Sequence, residues 1–213
     1  MNPRRILVVI GHPIPHSYNH ELARTYASAA EAAGAEVRIR DLAVEPADSP
    51  TSHEQLRARR DAYDHLEVGV AEDIADLHWA EHVVIFFPQW WGTYPAVLTN
   101  WIDRTFLAGD AFRYGTTAAS WDKLLTGRTA RIVTTHDSPG FYNLLVYRDA
   151  AVVALRTATL AYCGIKTVGV THFSPLRTST DQTRQKWLAT TGALGTQDGR
   201  IAGATRVVAA VAG

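Results

Sequence analysis

Residues 83–104, VVIFFPQWWGTYPAVLTNWIDR, combine an apolar run, a short aromatic loop and a periodic segment. The run at residues 83–87 contains no polar side chain, which is typical of a strand covered on both faces of a parallel sheet. Pro95 marks a favoured start for a helix, and the apolar positions after it recur about every fourth residue. The stretch therefore predicts a strand, a loop and a helix in succession.

The same unit recurs along the chain. Three further apolar bursts lie at residues 6–10, 130–135 and 166–170, of which only the first is free of polar side chains, and residues 36–40 alternate as in a strand nearer a sheet edge. Helical periodicity is found at residues 22–33, 73–79, 143–162 and 184–194. This order predicts an α/β fold, a doubly wound five-stranded parallel sheet with helices on both faces.

The length of 213 residues predicts a single domain spanning residues 1–213. Two segments, residues 42–66 and 108–127, are rich in polar and turn-forming residues and are predicted to be long loops. Residues 199–213 mix small and apolar side chains. We expect them to form a flexible tail or to dock on a partner.

The composition disfavours several classes of protein. The 21 basic and 21 acidic side chains give a formal net charge of zero, which argues against binding to nucleic acid. The only cysteine, Cys163, excludes an intrachain disulfide and a multi-cysteine zinc site, and is consistent with the cytoplasm. No apolar run approaches the ~18 residues of a membrane helix. We therefore expect a cytoplasmic protein that does not insert into membranes.

In a doubly wound sheet, ligands bind beyond the carboxyl ends of the strands. Three loops follow strands: GHPIPHSYN at residues 11–19, PQWWGTYP at 88–95 and TTHDSPGFY at 134–142. The first leads into a helix N-terminus, which favours an anion, although Ser17 could instead serve only as the helix N-cap. The adjacent Trp90 and Trp91 would suit a planar ring beside that anion. They could equally lie in the core or at a subunit interface.

A metal site has weaker support. His12, His16 and His20 are spaced by four residues, as ligands on one helix would be. Two prolines interrupt the first interval, and no cysteine or carboxylate completes the set. The sequence therefore predicts no metal.

Taken together, the three loops resemble the flavodoxin-like NAD(P)H-dependent quinone oxidoreductases, of the NAD(P)H dehydrogenase (quinone) or flavodoxin-2 type. The most specific part is P-Q-W-W-G-x-x-P-A-x-L-x-x-W-I-D-R at residues 88–104, continued by G-x-A-F-x-Y at 109–114. S-Y-N at residues 17–19 matches the family's S-F-N, and the resemblance covers about residues 6–173. One departure is T-T-H-D at residues 134–137, where the family has T-T-G-G.

The resemblance implies that a flavin is held by these loops. The residues implied for its phosphate are His12, Ser17, Tyr18 and Asn19. Those implied for its isoalloxazine ring are Pro88, Gln89, Trp90 and Trp91, together with Thr134 and Thr135. His136, which stands where the family has glycine, is a further candidate beside the ring. Tyr142, which matches a tyrosine at the substrate pocket of some members, and His136 are the candidate catalytic residues, as hydrogen-bond partners of the acceptor, and no essential general base is expected.

The resemblance further implies FMN as cofactor, with FAD as the alternative, and NAD(P)H as co-substrate. NAD(P)H would pass a hydride to the flavin N5 atom in a ping-pong reaction, and a quinone or similar flat aromatic acceptor would then be reduced in the same place. A homodimer is also implied. Two alternatives are an ancillary regulatory subunit of a membrane potassium-efflux system and an electron-carrier flavodoxin. The zero net charge argues against the second, since such carriers are strongly acidic.

Overall fold

The computed structural model describes residues 2–58, 63–117 and 119–203. The strands are β1 (Arg5–Ile10), β2 (Glu36–Asp41), β3 (His82–Pro88), β4 (Phe112–Tyr114), β5 (Trp121–Lys123), β6 (Thr129–Thr135) and β7 (Lys166–Phe173). Five of them form one parallel sheet in the order β2-β1-β3-β6-β7. The predicted five-stranded parallel sheet is thus confirmed, and the alternating segment is indeed an edge strand.

Helices cover both faces of this sheet, as predicted. They are α1 (Tyr18–Ala32), α2 (Val68–Trp79), α3 (Ala96–Thr105), α4 (Gly140–Leu145), α5 (Ala150–Val153), α6 (Ala161–Cys163) and α7 (Asp181–Gly199), with a π-helical segment, Ala154–Leu160, joining α5 to α6. One apolar cluster packs α1 and α7 against the sheet, and a second packs α2, α3 and the α5–α6 helix against its other face. Within the described ranges, no helix is long and apolar enough to cross a membrane.

Helix α7 is held against α1 and the sheet by a close helix–helix contact and by a buried carboxylate. A Cβ atom added at Gly195 would lie 2.3 Å from the Tyr26 carbonyl oxygen, so the close approach of the helices requires glycine there. The buried Asp198 carboxylate accepts hydrogen bonds from Arg131 Nε at 2.6 Å and from the Tyr26 hydroxyl at 2.7 Å. Helix α7 consequently extends well beyond the predicted residues 184–194.

Two predicted elements differ in the structure. The predicted loop at residues 108–127 contains a hairpin, in which β4 and β5 pair antiparallel. The helix predicted across residues 143–162 is interrupted, because Arg148 and Asp149 both have a φ of 53°. Helix α4 therefore ends early and α5 starts a new helix, a break that apolar periodicity does not reveal.

The segment at residues 42–66 is mostly loop, as predicted, with one short 3₁₀ turn at Glu54–Leu56. Arg104, fully buried on α3, holds it through a 3.1 Å hydrogen bond to the Asp48 carbonyl. At the other end of the chain, α7 continues to Gly199, and the Gly203 N–H donates to the Asn2 carbonyl at 3.0 Å. The predicted tail beyond residue 203 lies outside the described residues.

Candidate functional site

Residues from all three predicted loops meet at the carboxyl edge of the sheet, where β1, β3 and β6 end side by side. The Gln89 N–H donates to the Thr135 carbonyl at 2.7 Å, and Asn19 Nδ2 donates to Thr135 Oγ1 at 2.9 Å. The rings of His12 and Trp90 stand edge to face, with centroids 5.5 Å apart. The three loops are therefore in mutual contact. They lie beyond the carboxyl ends of the strands, where ligands bind in this fold class.

Ser17 occupies the N-cap position of α1, but its side chain makes no capping hydrogen bond. Its Oγ atom instead lies 2.7 Å from His20 Nδ1, and His20 Nε2 lies 3.0 Å from Asp41 Oδ1. His20 and Asp41 are thus linked to the predicted phosphate loop, although they were not among its predicted residues. The three-residue spacing from Ser17 to His20 was the available signal, because such a pair shares one helix face.

His12 belongs to the same loop and is buried. Burial, and then the proximity of His20, lower the pKa of His12 below its ordinary value. Its Nδ1 atom accepts a 3.0 Å hydrogen bond from the Ile14 N–H. In the neutral ring the proton therefore resides on Nε2, which makes His12 a hydrogen-bond donor.

The two tryptophans belong to a tight turn. Trp90 and Thr93 exchange two backbone hydrogen bonds of 2.9 Å, and the central residues Trp91 and Gly92 have φ values of 52° and 75°. This is the geometry of a type I′ turn, which favours Asn-Gly rather than Trp-Gly. The Trp91 side chain is fully exposed, at 101% of its reference area. Trp91 is therefore not a core residue, and its unfavourable backbone conformation points to a functional role.

His136 replaces a family glycine in the third loop and is buried. Its Nδ1–H donates to the Ser138 carbonyl at 2.8 Å, and burial lowers the pKa of the ring. A neutral ring with its proton on Nδ1 leaves Nε2 as a free acceptor. His136 can therefore receive a hydrogen bond or a proton from a bound molecule.

Four of the twelve buried side-chain polar atoms that have no hydrogen-bond partner among the described residues belong to predicted cofactor residues. These four are Asn19 Oδ1, Gln89 Oε1, Thr134 Oγ1 and His136 Nε2. A buried polar atom without a partner costs about 1–3 kcal/mol, and in a native structure it calls for an explanation such as a ligand. Acceptor atoms and a hydroxyl on one sheet edge fit a flavin, which has N–H and O–H donors on its ring and ribityl chain and carbonyl oxygens on its ring.

The two predicted tyrosines differ in placement. The Tyr18 hydroxyl donates to the Arg184 carbonyl at 2.8 Å and its ring faces Trp187 on α7. Burial raises the pKa of Tyr18 to about 12. Its side chain is thus committed to α7, and only its backbone can serve a phosphate. Tyr142 is 40% exposed on α4, where its ring stands edge to face on Tyr147.

Pro88 ends β3 and is buried there. Among the described residues, no group of three or more histidine, cysteine, aspartate or glutamate side chains is placed to hold a metal ion.

Residues 4–193 match the family model Flavodoxin_2, which is described as a flavodoxin-like fold. The chain belongs to the Flavodoxin_2 family. The match spans the whole five-stranded sheet and most of α7. The family predicted from the loop motifs is therefore confirmed.

Curated relatives of this Flavodoxin_2 chain include two dehydrogenases. The chain is 30% identical over 151 residues to a ribosyldihydronicotinamide dehydrogenase-like protein, traD, of Penicillium crustosum, a match covering 62% of this chain and 57% of that protein. It is 26% identical over 198 residues to NAD(P)H dehydrogenase [quinone] 1 of Cavia porcellus, covering 81% of this chain and 71% of that protein.

A solved structure with the same fold is the FMN-dependent NADH-azoreductase of Bacillus anthracis in complex with FMN. It superposes with a TM-score of 0.72 at 14% identity and covers 92% of this chain and 100% of that one. At this identity the likeness concerns the fold alone.

Proposed function

We propose that this protein is a flavin-dependent NAD(P)H:quinone oxidoreductase that holds FMN on the three loops. The observation that carries the proposal is the set of four unpaired buried polar atoms, all on residues of these loops. Membership of the Flavodoxin_2 family supports it, as do the names of two relatives, an NAD(P)H dehydrogenase [quinone] and a ribosyldihydronicotinamide dehydrogenase-like protein. FMN is proposed in preference to FAD because a structure of the same fold holds FMN.

The first loop would hold the phosphate. Backbone N–H groups at the start of α1 and the helix dipole favour an anion there. His12 adds an Nε2–H donor, because its Nδ1 atom is occupied by the Ile14 N–H. Asn19, fixed by Thr135, leaves its Oδ1 atom free to accept a hydrogen bond.

The second and third loops would hold the ring and the acceptor. A bound flavin supplies two-electron redox chemistry between NAD(P)H and a flat acceptor. Trp91 provides a large apolar surface that would exclude water from the ring. His136 Nε2 can accept a hydrogen bond from the carboxamide NH₂ group of NAD(P)H, and the half-exposed Tyr142 hydroxyl can donate one to a quinone carbonyl.

A homodimer is part of the proposal, because α4 and the segment after it carry exposed apolar side chains. Phe141, Leu144, Leu145 and Val146 are exposed by 68%, 63%, 71% and 56%. Tyr147 approaches the Trp91–Gly92 turn, since a Cβ added at Gly92 would lie 4.0 Å from its ring. An apolar patch beside the proposed ring site suits a subunit interface. We also propose a cytoplasmic location, where NAD(P)H is available.

The experiment that tests the function starts with protein purified without denaturant. Mass spectrometry of the released cofactor distinguishes FMN from FAD, and turnover of NADH and NADPH with menadione tests the reaction. Sedimentation of wild type and Leu145→Glu tests the dimer, which the charged variant should dissociate. Oxidation of NAD(P)H by flavin-loaded protein that does not depend on a quinone would contradict the proposed acceptor.

A further inference from the structure

A chain of side-chain hydrogen bonds leads from the proposed ring site to a carboxylate. Gln89 Nε2 lies 2.7 Å from Asn143 Oδ1, and Asn143 Nδ2 lies 3.1 Å from Asp149 Oδ1. Gln89 and Asn143 are buried, with 9% and 3% of their areas exposed. The contacts join the second loop, helix α4 and the start of α5 into one polar unit.

Chemistry fixes the direction of every bond in this chain. An ionised carboxylate can only accept hydrogen bonds, so the Asn143 atom that faces Asp149 must be its NH₂ group. The Asn143 carbonyl oxygen therefore faces Gln89, and Gln89 must present its own NH₂ group to it. What remains of the Gln89 amide is its carbonyl oxygen. The negative charge at Asp149 thus determines that Gln89 offers an acceptor, and not a donor, at the other end.

Asp149 is itself held in place by the surrounding chain. Its backbone is left-handed, with φ 53° and ψ 38°, and its N–H donates to the Asn143 carbonyl at 3.1 Å. Its second carboxylate oxygen lies 3.4 Å from His172 Nε2. A left-handed backbone at an aspartate costs free energy, so this conformation persists only where the surrounding structure imposes it. The carboxylate is therefore positioned without any ligand.

The Gln89 carbonyl oxygen is buried and has no hydrogen-bond partner. Gln89 follows β3 directly, and its backbone N–H donates to the Thr135 carbonyl. This bond fixes the Gln89 backbone at the contact between the second and third loops. Hydrogen bonds in a chain polarise one another, so an amide chain that ends on a carboxylate makes its free carbonyl a stronger acceptor. A ligand that pairs with it needs an N–H or O–H donor at that point.

We infer that Gln89 Oε1 accepts a hydrogen bond from the imide N–H of the flavin, and that Asn143 and Asp149 are positioning residues that fix this orientation. The oxidised isoalloxazine ring carries a single N–H group, at N3, so a buried acceptor at the ring has one partner available. This inference rests on the proposed function. It adds to that function a set of residues, Gln89, Asn143 and Asp149, that recognises the pyrimidine edge of the flavin.

The test is a double-mutant cycle on FMN affinity, measured by quenching of flavin fluorescence. Gln89→Met removes the acceptor at similar size and should weaken FMN binding about tenfold or more. Asp149→Asn, which acts on Gln89 through Asn143, frees both amides to reverse and should weaken binding in the same direction. In the Gln89→Met background it should have no further effect, because the two residues act through one bond. Asp122→Asn, an exposed carboxylate on β5, is the matched control and should bind FMN like wild type.

A flavin analogue makes the test independent of folding defects. FMN methylated at N3 lacks the donor, so wild type should bind FMN more tightly than the analogue, and Gln89→Met should lose most of that preference. Additive effects of the two substitutions, or an undiminished preference in Gln89→Met, would overturn the inference. If wild type binds no FMN, the proposed function itself fails, which is a different outcome from FMN binding that ignores Gln89.

Discussion

The Ser17 hydroxyl oxygen lies 2.7 Å from His20 Nδ1, even though Ser17 stands at the N-cap of α1. Asp41 accepts from the other ring nitrogen at 3.0 Å, so in the neutral ring Nδ1 accepts from the Ser17 hydroxyl. A bound phosphate would turn that hydroxyl toward itself. The Ser17 hydroxyl thus has two possible partners, the His20 ring and a bound phosphate, and neither is a backbone N–H group at the start of α1.

Ser17→Ala should lower FMN affinity about tenfold, because a hydrogen bond to a charged phosphate contributes about 1.5–3 kcal/mol. It should also destabilise the fold by about 1 kcal/mol or more, since the buried His20 Nδ1 atom loses its partner. FMN titration and urea unfolding measure the two effects separately.

Two controls accompany this variant. Ser17→Thr keeps the hydroxyl and should retain affinity, and Ser28→Ala changes an exposed serine on the same helix. Lower stability of Ser17→Ala with unchanged FMN affinity would rule out the phosphate role.

Trp91→Asn should have opposite effects on stability and on binding. Asparagine tolerates the left-handed backbone of the turn at less cost than tryptophan, a difference of about 1 kcal/mol. In a chain of this size the melting temperature of the flavin-free protein should rise by about 2–4 °C. FMN binding should weaken, because the indole surface is lost. A variant that binds FMN as tightly as wild type would show that Trp91 does not contact the cofactor.

Asp198→Asn should be strongly destabilising. Removing one partner of a buried ion pair costs about 3–5 kcal/mol, and here Arg131 would lose the carboxylate charge and one of its two hydrogen bonds to residue 198, because an amide keeps only one acceptor oxygen. Burial opposes ionisation of Asp198, but hydrogen bonds from His82, Arg131 and Tyr26 hold its pKa below the ordinary value. Its contribution is therefore complete above the unfolded pKa, about 4, and is lost as the pH falls below that value.

Denaturant unfolding between pH 3 and 7 tests this prediction. The stability difference between wild type and Asp198→Asn should be largest at neutral pH and should shrink in acid. Asp181→Asn, an exposed aspartate at the start of the same helix, should show no such pattern. A difference that stays constant down to the lowest pH would contradict the assigned role of the carboxylate.

His136→Gln tests the free imidazole nitrogen of the third loop. Because burial lowers the pKa of His136, the ring should remain a neutral acceptor down to a pH below the ordinary histidine pKa of about 6.5. The kcat/KM of wild type for NAD(P)H should then fall only in more acidic solution, as Nε2 becomes protonated and can no longer accept a hydrogen bond from the carboxamide. The variant should lack that acidic limb. An identical pH profile in both proteins would exclude His136 from the step.

The sheet was predictable from the sequence because its inner strands are buried on both faces. All seven residues of β3 are buried, and a strand of this kind has a nearly continuous apolar sequence. The break at Arg148 and Asp149 was not predictable, since arginine rarely adopts a left-handed backbone and even aspartate does so only in a minority of cases. The apolar pattern continues across it, so periodicity predicts one helix where the structure has two.

The loops that form the site were predictable from motifs, whereas the connections between their side chains were not. Gln89 lies 54 residues from Asn143, and His20 lies 21 residues from Asp41. Each pair meets only because parallel strands end at the same edge of the sheet. A single sequence carries the residues of such a network but not their distances.

The most direct measurement for the central claim is the absorbance of the purified protein during titration with FMN. The account predicts that the protein is isolated yellow or becomes so, with a shifted flavin spectrum that saturates and bleaches on addition of NADH or NADPH. Menadione should then restore the absorbance. Protein that is correctly folded by circular dichroism, yet binds neither FMN nor FAD, would contradict the account.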